Sequence, residues 1–354
     1  MTLCRRSARP SLNPSLTLSL SLAVVLICNA VHAQGHAADC VQIAAEASRL
    51  ACYDRAHGRP APAVAAPAES PAATPAAAAR TPEPPPGYLA TRWDLGGPEG
   101  VMFAPRAYRP VYLLPATWTD RVNRRPQSPQ PANSMGTDLD LRDIETKYQI
   151  SLKAKLGHHL LGTAFSLWGG YTQSSRWQVY NGAESRPFRE TNYEPEVILV
   201  WPLQGTLLGW QMRMGSVAIN HQSNGRSLPL SRSWNRIIGS LALERDDWVA
   251  ELRPWLRIRE SPADDDNPDI EDHIGRIELQ LSRYWADQVL TLQLRHSLRT
   301  GARSRGSAQL DWVFPMRGAL HGYLQVFSGY GESLVDYNQS QTKLGLGVTI
   351  AGWR

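Results

Sequence analysis

His221 and Ser223 stand two residues apart in the stretch Asn220-His221-Gln222-Ser223-Asn224-Gly225-Arg226. A β-strand returns side chains at i and i+2 to one face, so a candidate base and a candidate nucleophile would stand side by side there. Asn224-Gly225 is a strong turn signal. Beyond it, Ser231-Arg232-Ser233-Trp234-Asn235-Arg236 opens a further alternating run. A hairpin brings Asn235 back toward His221, where its amide oxygen can accept the proton on the far ring nitrogen. That is a Ser-His-Asn version of the nucleophile, base and orienter arrangement. The bland alternative is a solvated turn with a capping serine and an incidental histidine.

The elements that would hold these residues are strands. From about Ile144 onward the hydrophobic period is two. Tyr148, Ile150, Leu152, Ala154 and Leu156 alternate with Lys147, Gln149, Ser151, Lys153 and Lys155. Trp248, Ala250, Leu252, Leu256 and Ile258 oppose Glu251, Arg253 and Arg257, and Leu344, Leu346, Val348 and Ile350 oppose Lys343, Gly345, Gly347 and Thr349. Aromatic residues such as Trp168, Tyr171, Trp177, Tyr180, Trp248, Trp285, Tyr323 and Tyr330 fall near strand ends. One polar face, one apolar face and aromatic girdles are the pattern of a membrane barrel. A soluble sandwich also alternates and is the rival reading.

The expected strands run over 146–156, 163–174, 193–203, 206–223, 233–246, 247–259, 273–285, 287–299, 306–314, 317–328, 332–338 and 341–352. That is an all-β, twelve-stranded antiparallel transmembrane barrel, an even number that lets the sheet close and leaves no unpaired edge in lipid. Phe103 to Trp118 carries too many prolines for a central strand. Val217, Ile219, His221 and Ser223 share one parity, and Asn235 shares its face with Ile237, Leu241 and Leu243, so the polar trio would face lipid. Trp210, Met212 and Met214 have the opposite parity, and a β-bulge near Gly215 would reconcile the two.

The chain has 354 residues, a formal charge of +5 and 42% hydrophobic residues, enough for one large domain with appended segments. The basic excess is modest and dispersed, which gives no footprint for nucleic acid. Outside the first 35 residues no run approaches the roughly 18 apolar residues of a spanning helix. Residues 1–33 read as an export signal, with Arg5, Arg6 and Arg9 before the apolar stretch from Leu16 to Cys28 and a Val31-His32-Ala33 cleavage site. Residues 34–58 form a small helical, cysteine-containing segment, residues 59–92 a Pro/Ala-rich linker, and residues 93–354 the barrel. Cys40 and Cys52 would lie about 18 Å apart on one continuous helix, beyond disulfide reach. The segment therefore either folds into a hairpin or keeps free thiols.

Residues 184–195, 220–236, 264–270 and 328–338 closely resemble the outer-membrane phospholipase A family, and the similarity runs from Phe103 to the end. The resemblance implies a calcium-dependent hydrolase of the bacterial outer membrane. It would cut acyl esters of glycerophospholipids, with A1, A2 and lysophospholipase activity, through Ser223 as nucleophile, His221 as general base and acid, and Asn235 orienting the imidazole. It also implies an active homodimer in which calcium is held by the Arg226 carbonyl, the Ser231 hydroxyl and Ser185 of the partner subunit. Gln173 falls at the family's dimer contact. By the same resemblance, Phe103 to Trp118 is an N-terminal arm packed along the barrel.

Two departures stand out. The chain ends Trp353-Arg354 where such barrels end on an aromatic residue, and Leu228 stands where some members carry an aspartate that pairs with the acidic loop Asp264–Asp269. That loop lacks the spacing of an EF-hand. The rival from another class is a non-catalytic outer-membrane pore or structural barrel.

Overall fold

A computed structural model of the chain describes residues 39–58, 87–96 and 101–350. The expected export signal and most of the expected linker lie outside the described residues. The chain divides into two units, Met1–Pro82 and Glu83–Arg354.

In the first unit a short 3₁₀ turn, Asp39–Gln42, precedes helix α1, Glu46–Ala56. The break between them folds the chain back on itself. Cys40 and Cys52 are disulfide-bonded with their Cα atoms 5.6 Å apart. Of the two alternatives left open by the sequence, the hairpin is the one adopted.

The second unit is a closed antiparallel barrel of twelve long strands. These are β1 Tyr112–Thr119, β2 Ile144–Gly157, β3 Ser166–Trp177, β4 Phe188–Pro202, β5 Trp210–Ser223, β6 Ser233–Arg245, β7 Trp248–Ile258, β8 Ile277–Trp285, β9 Gln288–His296, β10 Gly306–Arg317, β11 Leu320–Gly329 and β12 Gln341–Ile350. Two further two-residue strands, Arg106–Ala107 and Thr206–Leu207, pair with β2 and β5. Each long strand pairs with its neighbours in sequence, and β12 pairs with β1. Every backbone donor and acceptor of the wall can therefore find a partner within the sheet, which hydrocarbon would not supply.

The expected number of strands is right, but one member differs. Residues 332–338 are not a strand. The twelfth strand is Tyr112–Thr119, inside the stretch expected to be an arm. Pro115 is accommodated at a bulge: Leu114 pairs with Lys147 and Thr117 with Glu145, so two residues on β1 lie opposite one on β2. A missing N–H costs little where the ladder is already interrupted. The freed Pro115 carbonyl accepts from the Thr146 hydroxyl at 2.8 Å and the Tyr180 hydroxyl at 2.9 Å.

Period two sorts the wall as expected. Ile150, Val217, Ile219, Leu256, Leu344 and Leu346 face outward, Leu256 at 73% exposure, while Lys147, Lys153, Lys155, Glu194, Glu196, Arg236 and Lys343 are buried in the interior. Trp168 and Tyr323, expected among the girdle aromatics, turn inward instead and are buried.

The interior is lined by mutually compensating charge. Glu194 meets Arg109 and Arg236, each at 2.9 Å, and Glu278 meets Arg253 at 3.1 Å and Arg295 at 2.9 Å. Such a cross-braced lumen fits poorly with the passive-pore alternative.

The residues expected as a strand over 332–338 fold into the barrel at one mouth and bring two of these carboxylates with them. Glu332 reaches Lys147 at 2.8 Å, Arg176 at 3.0 Å and Lys343 at 2.8 Å, and Asp336 reaches Arg189 at 2.8 Å. A glycine-rich turn that must deliver two buried anions into a cationic lumen has no use for extended pairing. Replacing Glu332 by Ala would leave three interior cations under-neutralised and is expected to cost about 3–5 kcal/mol. Denaturant unfolding of the detergent-solubilised barrel would read this as a lowered midpoint.

At the opposite mouth helix α2, Tyr88–Trp93, buries Leu89 and Trp93. The Leu89 N–H donates to Glu244 Oε1 at 2.5 Å, and Trp93 lies edge-on to Trp168 at 5.5 Å. Lys153 Nζ sits 3.0 Å from the Trp93 ring centroid, a cation–π contact inside the barrel. The expected linker over 59–92 thus runs too far, because its last residues belong to the barrel. The turns at this mouth are the short ones, such as those joining β6 to β7 and β8 to β9, which marks it as the periplasmic side.

Candidate active site

Strands β5 and β6 carry the site at the long-loop end. Their register sets His221 opposite Asn235 and Ser223 opposite Ser233. His221 Nδ1 lies 2.8 Å from Asn235 Oδ1. An amide oxygen only accepts, so this contact puts the imidazole proton on Nδ1 and leaves Nε2 free as a base. Around the trio the wall is apolar and outward-facing, with Ile219 63% exposed and Ile237 42% exposed. The polar group therefore stands on the outer wall, as strand parity predicts.

The bulge expected near Gly215 lies slightly earlier. Met212 pairs with Leu243 and Met214 with Ala242, which leaves Arg213 over. Met212 joins the outer face, whereas Met214 stays fully buried inside, so the bulge does not turn Met214 outward.

The turn between the strands is tied from within. Asn224 is buried; its Nδ2 donates to the Leu230 carbonyl at 2.7 Å, and its Oδ1 accepts the N–H groups of Arg226 at 3.2 Å and Arg232 at 3.0 Å. Gly225 adopts φ +61°, and a Cβ there would meet the Tyr193 ring at 3.1 Å, so glycine is favoured twice over. The buried Arg232 guanidinium donates to the carbonyls of Pro229, Ser231, Gln127 and Asn133 and clamps this turn onto the loop between β1 and β2.

The residues implied as calcium ligands are only partly gathered in one chain. The Ser231 hydroxyl donates to Asp266 Oδ2 at 2.7 Å, and Asn133 Nδ2 bridges the Ser231 carbonyl and Asp266 Oδ1, both at 2.9 Å. Arg226 lies exposed at the tip of the same turn. Ser185 sits exposed in the loop between β3 and β4 on left-handed backbone, φ 57°. Among the described residues no group of three or more His, Cys, Asp or Glu side chains is placed to hold a metal ion. Hydroxyl and carbonyl oxygens beside the Asp266 carboxylate form a hard donor set that fits calcium. Gln173 pairs with Ile150 on one side and Tyr193 on the other, both exposed on the outer wall, and its Oε1 accepts from the Tyr171 hydroxyl at 3.1 Å.

Two polar partners of the site were not anticipated. One is Asp266, which carries its bond to Ser231 from the acidic loop; that loop's match to the family was the available signal. The other is Glu260, just beyond β7, whose Oε1 accepts from Asn235 Nδ2 at 2.8 Å. Burial raises the Glu260 carboxyl above its ordinary range, Asp265 and Asp266 add to the rise, and Arg257 and the Asn235 hydrogen bond oppose it.

A closed barrel with an apolar outer wall is a protein of the bacterial outer membrane, and one with a hydroxyl, an imidazole and an amide grouped on that wall offers polar chemistry to the bilayer rather than to a channel. The chain belongs to the phospholipase A1 family, whose model matches residues 98–350. It is 38% identical over 243 residues to the phospholipase A1 of Klebsiella pneumoniae, covering 69% of this chain and 81% of that protein. To the phospholipase A1 of Escherichia coli K12 it is 42% identical over 209 residues, 59% of this chain and 70% of the relative. Among solved structures it is similar to the outer membrane phospholipase A from Escherichia coli, with a TM-score of 0.62 and 35% identity over 72% of this chain and 94% of that one. A Salmonella typhi outer membrane phospholipase dimer with bound calcium gives 0.63 and 36% over the same shares.

Proposed function

We propose that this outer-membrane phospholipase is calcium-dependent and hydrolyses the sn-1 and sn-2 acyl esters of glycerophospholipids, and lysophospholipids, through Ser223, His221 and Asn235. The observation that carries the reading is the 2.8 Å contact between His221 Nδ1 and Asn235 Oδ1 on the outer wall, two residues along the same strand from Ser223. Polar groups facing hydrocarbon are costly unless used, and here the hydrocarbon phase holds the substrate.

The Ser223 hydroxyl attacks the ester carbonyl carbon while His221 Nε2 takes its proton. The imidazolium then gives that proton to the departing glycerol oxygen. Water, deprotonated by Nε2, attacks the acyl-serine carbonyl carbon. The bond from that carbon to the Ser223 oxygen breaks, Nε2 returns the proton to that oxygen, and the fatty acid leaves. Asn235 holds the Nδ1 proton throughout, so only Nε2 exchanges protons. As a neutral acceptor, Asn235 stabilises the imidazolium less than a carboxylate would. Calcium, held by the Arg226 carbonyl, the Ser231 hydroxyl and Ser185 of the partner subunit, would supply positive charge for the oxyanion. Asp266, bonded to the Ser231 hydroxyl, orients that ligand.

The need for a second chain's serine makes the homodimer the active form, with Gln173 at the contact. Phospholipids are the substrate partners, and residues 1–33 are the export signal preceding the 34–58 segment. Asn235→Ala is expected to lower kcat by about 10- to 100-fold, the value of a hydrogen bond to a charged group. Hydrolysis of phospholipid in mixed micelles by the refolded protein is the measurement, and a wild-type rate in that variant would refute the assignment.

A further inference from the structure

The amide of Asn235 is nearly symmetrical in shape and opposite in hydrogen bonding at its two ends. Left to itself it could present either Oδ1 or Nδ2 to His221. Only one choice is productive. With Oδ1 toward the ring, Nδ1 carries the proton and Nε2 can accept from Ser223; with Nδ2 toward the ring, Nδ1 must accept and Nε2 becomes protonated.

Strand β7 supplies the asymmetry. Asn235 is in register with Ile258, and Glu260 follows two residues on. Glu260 Oε1 takes the Asn235 Nδ2 proton at 2.8 Å, while Oε2 has no hydrogen-bond partner among the described residues. A carboxylate only accepts, so it can be bonded by one end of the amide and not the other.

We propose that Glu260 is a positioning residue that fixes the Asn235 amide, and through it the His221 tautomer, making a relay of Ser223, His221, Asn235 and Glu260 across three adjacent strands. The relay also places an acidic group behind a neutral orienter. Polarising the amide toward the ring makes its oxygen a stronger acceptor when the imidazolium forms. The charges packed around Glu260 are Arg257, Asp265 and Asp266. Arg257 is already paired with Asp265 at 2.6 Å and donates to the carbonyls of Asn267 and Pro268 at 3.2 Å. That leaves Asn235 as the hydrogen-bond partner of Glu260.

The inference rests on the triad reading, and its test separates the two. Steady-state hydrolysis of mixed micelles is measured for Glu260→Ala and Glu260→Gln, each alone and combined with Asn235→Ala, with heat-modifiable gel mobility as the check on folding. Glu260→Ala should lose on the order of tenfold in kcat with KM unchanged. Glu260→Gln, which offers an acceptor and also a donor, should fall between it and wild type. Neither should change the residual rate of Asn235→Ala, because a residue that acts through another is silent once that other is gone. Equal losses with and without Asn235, or wild-type kcat in both single variants, would overturn the proposal. Should Glu260→Ala fail to fold, the isosteric Gln variant decides by the same comparison. An active Ser223→Ala would sink the triad itself, whereas an inactive Ser223→Ala beside fully active Glu260 variants would sink the relay alone.

Discussion

Ser223→Ala is expected to abolish phospholipid hydrolysis, with kcat falling by on the order of 10⁴-fold or more, while the barrel keeps its fold. The reasoning is local. Ser223 is the last residue of β5, in register with Ser233 and Tyr193, and the strand ladder does not depend on its hydroxyl. Losing one oxygen at the rim leaves the wall, the lumenal ion pairs and the turn held by Asn224 unchanged. Heat-modifiable mobility and far-UV circular dichroism should match wild type. A passive barrel predicts the reverse pattern, with no hydrolysis to lose. Retention of more than a few per cent of the wild-type rate in a properly refolded variant would move the nucleophile elsewhere.

Chelation of calcium should lower the rate of the wild-type protein by about 10²- to 10³-fold, the usual consequence of removing an oxyanion stabiliser. Asn235 brings no charge of its own and His221 turns cationic only in passing, so the oxyanion needs positive charge from elsewhere. The donor set supports the choice of metal: Ser231, its bonded partner Asp266 and the backbone of the turn at Arg226 offer oxygen and nothing softer. Re-addition of calcium should restore the rate. Magnesium should restore less, because it asks for a tighter octahedral shell than loop hydroxyl and carbonyl oxygens from two chains provide. Ser185→Ala should raise the calcium concentration needed for half-activity without changing the mobility of the folded monomer. A rate indifferent to chelator would end the metal assignment even if Ser223 and His221 survived.

The wall was legible because period two is a direct record of which side chains meet lipid. Lys147, Lys153 and Lys155 announced the interior of β2, just as Ile150 and Leu156 announced its exterior. The trio was legible for a related reason: i and i+2 on one strand, an Asn-Gly turn, and a return strand of known parity fix three side chains with no further knowledge. Pro115 misled because proline argues against a strand interior unless a bulge absorbs it, and a bulge depends on what the neighbouring strand does. Residues 332–338 misled because Leu334, Val335 and Tyr337 are apolar and sit among polar neighbours as strand residues do, whereas every residue from Glu332 to Tyr337 is buried in the barrel mouth. Glu260 was out of reach. It lies 25 residues from Asn235, and their contact exists only through the pairing of β6 with β7. Asp266 was within reach only through its loop's resemblance to the family, since its bond to Ser231 is made by loops whose path no local pattern specifies.

The outward placement of His221 and Ser223 changes what concentration means for this enzyme. On the proposed triad, a substrate molecule reaches them by lateral diffusion along the plane of the sheet's surroundings and the products depart the same way, so the governing variable is surface density rather than moles per litre. Diluting a micelle with inert detergent should slow turnover even when the bulk amount of lipid is held constant, and adding more of the same mixed micelles should not restore it.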